Sequence, residues 1–125
     1  IFTYSNYERR VVSELAEHLP EQGDRLLATL DRFKDLQILI KRYFYNSGFR
    51  GSFSLKSVLP VLVPQMSYQN LVIQEGTHAS LEYLRMLNPE TPPEQKNIIE
   101  QALIDYCSYD THAMVKIREA LLERF

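Results

Sequence analysis

The chain has 125 residues, 45% hydrophobic and 24% charged, enough apolar material for one core and one domain, residues 1–125, and too little for two. A formal net charge of -2 excludes a global attraction to nucleic acid or to an acidic membrane, so any polyanion contact must be local. The lone cysteine, Cys107, excludes an internal disulfide and a cysteine-based zinc cluster, which makes the cytoplasm the expected compartment.

Ile1-Phe2-Thr3-Tyr4 reads as a short β-branched and aromatic strand. A lone strand leaves backbone groups open, so its neighbours are expected upstream of Ile1 or from another chain, with self-association through that edge. Ser5 or Asn6 is then placed to cap a helix whose positions Val11, Val12, Leu15, Ala16 and Leu19 keep helical spacing up to Pro20. Leu26, Leu27 and Leu30 predict a short helical turn, and Phe33 a second very short strand.

The spacing of Leu36, Leu39, Ile40, Tyr43 and Phe44 predicts a helix from Leu36 to Tyr45, stopped by Asn46-Ser47-Gly48. Ser54 caps the next, which Pro60 should bend or shorten and Pro64 should end. The longest aliphatic stretch, around Val61 to Val63, is far too short to span a bilayer, and no charged-then-apolar leader opens the chain, so neither a membrane partner nor export is expected.

Gly76-Thr77 opens a helix through Leu87, ended by Asn88-Pro89. Thr91 and Glu94 form a capping box with Pro92 at the first helical position, starting a long helix towards Phe125 with a break expected near Cys107-Ser108. Cys107 itself is expected to be a small buried side chain.

Two acids stand on apolar faces. Asp110 falls on the stripe of Tyr106, Ala113, Met114, Ile117 and Leu121, and a buried carboxylate must be paired, hydrogen-bonded or bound to a metal. A cap, or a salt bridge to Arg9 or Arg10, would satisfy it without any function. Glu8 shares a face with Val12, Leu15 and Leu19, although a first-turn acid is also what the helix dipole favours.

Between Asp31 and Lys56, six cations (Arg32, Lys34, Lys41, Arg42, Arg50 and Lys56) face two acids and interleave with Phe33, Tyr43, Phe44, Tyr45, Phe49 and Phe53. Such a stretch suits phosphates and unpaired bases, or else its aromatics are core and its charges a solvated face. His18, His78 and His112 are scattered without metal-ligand spacing and are expected to be surface or capping residues.

Tyr106-Cys107-Ser108-Tyr109-Asp110 resembles the third motif of tyrosine-type DEDD exonucleases, and Phe2-Thr3-Tyr4-Ser5-Asn6-Tyr7-Glu8 resembles the second, with Glu8 in place of an aspartate. Three middle segments, Gly51 to Pro60, Tyr68 to Ile73 and Gly76 to Ala79, together with Tyr106 to Met114, resemble the bacterial domain of unknown function 2779 over nearly the whole chain.

The resemblance implies a truncated α/β ribonuclease H-like fold, here mostly α-helical with one or two short strands. It further implies a fragment of a metal-dependent 3'-5' exonuclease on DNA or RNA, often fused to an adjoining nuclease domain. Glu8 and Asp110 would bind Mg2+ or Mn2+ and Tyr106 would position the attacking water. The family's first motif, Asp-x-Glu, has no counterpart here, so the expectation is little or no activity from this stretch alone. A non-catalytic helical module binding nucleic acid or a partner protein is the alternative, and a purely architectural cover for a neighbouring nuclease domain is a third.

Overall fold

β1 (Phe2–Thr3) finds its partner inside the chain, in β2 (Lys34–Asp35), with Phe2 opposite Lys34 and Thr3 opposite Asp35 in parallel. The expectation of an upstream or foreign partner is thereby corrected for one edge of the strand. A parallel pair needs a crossover of a dozen or more residues, and α1 (Tyr7–His18) and α2 (Gly23–Leu30) supply it. The pairing is extended by the Lys34 amide donating to the Ile1 carbonyl at 2.8 Å and the Ile1 amino group to the Arg32 carbonyl at 2.9 Å.

The computed structural model describes residues 1–124 and is mostly helical. After β2 come α3 (Leu36–Tyr43), α4 (Leu55–Leu62), α5 (Gly76–Leu87) and α6 (Pro93–Leu122), joined in part by 3-10 turns at Ser47–Phe49 and Tyr68–Asn70.

Ser5, with φ of 77°, turns the chain out of β1 into α1 through the left-handed region that L-residues pay to enter. Within α1 the inward stripe is Glu8, Val12 and Ala16, four residues apart, whereas Leu15 and Leu19, expected on the core side, are 43% and 49% exposed. Glu8 therefore sits on the buried side of α1, the helix that packs against α2.

α3 ends two residues before the expected Tyr45, because Phe44 takes extended geometry and Asn46 accepts the Gly48 amide at 2.8 Å to start a 3-10 turn. Ser54 caps α4 through the Ser57 amide, and the helix carries Pro60 inside and stops at Leu62, ahead of Pro64.

α5 packs on α6. Thr91 does not form the expected capping box; its hydroxyl donates back to the Arg85 carbonyl at 2.7 Å and ties the hairpin turn, leaving Pro92 at the N-cap of α6. α6 passes through Cys107-Ser108 unbroken, since neither residue removes a backbone donor, and Cys107 lies on its exposed side rather than in the core. Phe125, towards which the helix was expected to run, lies outside the described residues.

The core gathers Leu36 and Ile40 from α3, Phe49 from the 3-10 turn Ser47–Phe49, Val58 and Leu59 from α4, and Ile117 from α6. Tyr4 joins it from the end of β1 and donates its hydroxyl to the Phe53 carbonyl at 2.8 Å, which fixes the strand end against the loop before α4. No helix among the described residues is long and apolar enough to cross a membrane.

Candidate functional site

Helical spacing puts Tyr106 and Asp110 one turn apart on the half-buried stripe of α6, directly before the buried Ala113 and Ile117. The question is what satisfies a carboxylate there. Neither arginine considered from sequence is seen to do so: Arg9 donates to the Leu30 carbonyl at 3.0 Å and lies over Phe33, and Arg10 pairs with Glu14 at 3.7 Å. Instead the Tyr68 hydroxyl, from the 3-10 turn Tyr68–Asn70, donates to Asp110 Oδ1.

Tyr68 is held by its neighbours on α6. Its ring meets Tyr109 edge-on with centroids 5.0 Å apart and Tyr106 at 6.5 Å, while the Tyr109 hydroxyl donates to the Ser67 carbonyl at 2.9 Å. Burial pushes the Tyr68 phenol far above its ordinary range, and its bond to Asp110 adds to the shift. Tyr106 is pushed up to about 12, first by burial and then by the Asp110 charge and a hydrogen bond to it. Both phenols thus stay protonated near neutrality and are hydrogen-bond donors there, not bases.

Glu8 comes to the same neighbourhood from α1. Burial raises its carboxyl above the usual range; the charges of Asp35 and Asp110 push the same way, against backbone amides of Glu8 and Tyr4 that favour the ionised form. Its Oε2 is buried with no hydrogen-bond partner among the described residues. The structure therefore brings Glu8 and Asp110 within electrostatic reach across about a hundred positions of sequence.

Asp35 is the third acid of this neighbourhood and was read from sequence only as a charge in the basic stretch. Its Oδ1 accepts the amides of Ser5 at 3.1 Å, Gln37 at 2.8 Å and Ile38 at 3.4 Å, so that oxygen is committed to capping α3 and closing the β1 turn. An aspartate directly before an apolar helical run is an N-cap signal, legible at Asp35-Leu36. Tyr68 has no such local signal, because its partner lies 42 residues away.

Among the described residues no group of three or more His, Cys, Asp or Glu side chains is placed to hold a metal ion. Glu8 and Asp110 are carboxylates, oxygen groups of the kind Mg2+ and Mn2+ take, but two such groups are too few to fill an octahedral shell.

All six cations of the basic stretch are exposed. Lys41 donates to Gln37 at 2.9 Å, and Arg42 lies over the Tyr43 ring at 6.0 Å. Lys56 alone of the six is seen to touch the Asp110 neighbourhood, lying 5.9 Å from the Tyr68 ring centroid and 3.7 Å from Glu75. Of the interleaved aromatics, Phe49 is core, Phe44 and Phe53 pack against it, and Tyr43 and Tyr45 are 66% and 69% exposed. The aromatics thus divide between the two readings rather than following either. His18 contacts the Glu14 carbonyl at 2.7 Å and His78 faces Glu82 at 3.9 Å, both within their own helices.

No curated protein and no solved structure matches the chain. Residues 1–54, which carry β1, Glu8, Asp35 and most of the basic stretch, match the family model described as Domain of unknown function (DUF2779), and this match supports that family for the first part of the chain.

Proposed function

We propose that the chain contributes one side of a divalent-cation centre in a ribonuclease H-like 3'-5' exonuclease acting on DNA or RNA, with Glu8 and Asp110 as its ligands. The observation that carries this reading is the buried Oε2 of Glu8, without a hydrogen-bond partner among the described residues and within electrostatic reach of Asp35 and Asp110. Like charges gathered under partial burial are costly, and a divalent cation would offset that cost. Bound there, Mg2+ or Mn2+ would supply Lewis-acid stabilisation of phosphate oxygens.

The chain's own residues have separate tasks in this reading. Glu8 and Asp110 hold the ion from α1 and α6. Tyr106, kept protonated, orients a water one helical turn from Asp110. Exposed Lys56, beside Tyr68, is suited to a phosphate of the incoming strand, and Arg32, Lys34, Lys41, Arg42 and Arg50 to more distant phosphates. Further ligands from elsewhere in the protein, or from an adjoining nuclease domain, would complete the shell.

The test is degradation of end-labelled single strands by the full-length protein with Mg2+ or Mn2+. Shortening from the 3' end that falls by at least about a hundredfold in Asp110→Asn and in Glu8→Gln supports the reading. Unchanged degradation by both variants, or none by the wild type, favours the second reading, a non-catalytic helical module that binds nucleic acid or a partner protein. That alternative draws on the exposed pair Arg42 and Tyr43 with Tyr45 nearby in sequence, a cation and two open aromatic rings.

A further inference from the structure

We propose, independently of the reading of Glu8 and Asp110, that the open groove between α3 and the last turns of α6 docks an acidic amphipathic helix of a partner protein. Its apolar side chains enter the groove and its carboxylates meet Arg42 and Arg124.

The groove follows from helical spacing. Leu39 and Tyr43, and likewise Ile40 and Phe44, stand four residues apart and share one face of the α3 segment, and Leu121 and Leu122 of α6 line the same groove. Together they bound about 330 Å3. Ile40 is fully buried, and Phe44 and Leu121 pack against the core, which gives a firm floor. The rim stays open, with Leu39, Tyr43 and Leu122 43%, 66% and 61% exposed. These six side chains carry one polar group, the Tyr43 hydroxyl, so the groove suits aliphatic or aromatic side chains better than sugars and base edges.

Charge names the occupant. Arg42 lies over the Tyr43 ring at 6.0 Å and Arg124 over the Phe44 ring at 5.3 Å, so two guanidiniums stand over rings that line the groove. Neither enters an ion pair among the described residues. No acid occurs from Leu36 to Arg50. On the last turns of α6, Glu119 is held by Lys116 at 2.7 Å, which leaves Glu123 beside Arg124 in sequence. A second copy seated groove to groove would bring the same two arginines against their like. A partner helix with apolar residues at i, i+3 or i+4 and i+7, and acids flanking them, meets both features over about the two turns that α3 offers.

The experiment is fluorescence anisotropy of labelled synthetic peptides titrated with the full-length protein. The probe is a peptide of about 16 residues, long enough to form a helix, with leucines along one face and glutamates elsewhere. Its controls carry lysine in place of glutamate, or glutamine in place of leucine. The leucine–glutamate peptide is expected to bind and both controls to fail. Its Kd is expected to rise at least about 10-fold in Leu122→Asp, and about 3-fold or more, with a weaker salt dependence, in Arg42→Glu and in Arg124→Glu. All three positions are exposed, so each variant is expected to melt within a few degrees of the wild type. Should Leu122→Asp melt much lower, Leu122→Gln takes its place.

No binding of the leucine–glutamate peptide, equal binding of the lysine control, or an unchanged Kd at position 122 would overturn the proposal. A labelled single-stranded oligonucleotide that binds the wild type, loses affinity in Leu122→Asp and displaces the peptide would overturn it too, and give the groove to nucleic acid.

Discussion

Asp35 Oδ1 receives the Ser5 amide across thirty residues of sequence while capping α3 through Gln37 and Ile38. One carboxylate oxygen thus joins the exit of β1 to the start of a core helix, and holds Ser5 in its positive-φ turn. Asp35→Ala should cost about 1 to 2 kcal/mol from the lost cap alone. Asp35→Asn, which keeps the acceptor, should cost less. Urea denaturation of the two variants checks the order.

Glu8 gives a pH dependence of definite sign. Its folded-state carboxyl binds a proton more tightly than the unfolded chain does, so the folded state is favoured while Glu8 is protonated. Stability should therefore fall as pH rises from the ordinary glutamate range, about 4.3, through the elevated value. Glu8→Gln should flatten that part of the profile and melt higher than the wild type near neutrality. Melting curves with a chelator present isolate the effect from any bound cation.

Tyr4, Tyr68 and Tyr106 all hold their protons above the normal phenol range, chiefly through burial. Unfolded tyrosine ionises near about pH 10, so the stability linked to these groups is intact below that pH and is lost as it rises further. In alkaline spectrophotometric titration, phenolate absorbance from these three should lag behind that of exposed tyrosines such as Tyr43 and Tyr45, and appear together with unfolding. Early ionisation of all tyrosines in the folded state would contradict the burial described.

Ile117 lies fully buried where α6 meets the core from α3 and α4. Ile117→Ala should cost about 2 to 5 kcal/mol through lost burial and the cavity left behind. By contrast Leu84→Ala, on a side chain 63% exposed in α5, should fall within about 0.5 kcal/mol of the wild type. Equal losses at the two positions would show that α5 is buried by something beyond α6.

Periodicity revealed what depends on neighbours in sequence: the spans of α1, α3, α4 and α5, the Ser54 cap, and the stripe on which Asp110 rides. It failed where a distant group decided the outcome. The hydroxyl of Thr91 found the Arg85 carbonyl instead of its own helix, and β1 found Lys34-Asp35 through a crossover that no local pattern announces. At the candidate site, Tyr106 and Asp110 were readable as a pair because one helical turn joins them. Tyr68 was not, because its hydrogen bond to Asp110 exists only after α4 and α6 have packed. Asp35 was readable in principle, from its place before an apolar helix.

The unbroken course of α6 has a mechanical consequence. At 1.5 Å per residue its thirty residues extend about 45 Å, with the α5 hairpin against the first half and the main core against the second. α5 buries none of its own residues fully, so the early turns of α6 should exchange amide protons sooner than the turns around Ala113 and Ile117. Tyr106 and Asp110 fall at that changeover. A side chain added at Gly76 would begin 3.8 Å from the Tyr106 hydroxyl, whereas Asp110 is held by Tyr68. Loosening of the hairpin would therefore reach the phenol before it reached the carboxylate, although both belong to the same rigid rod.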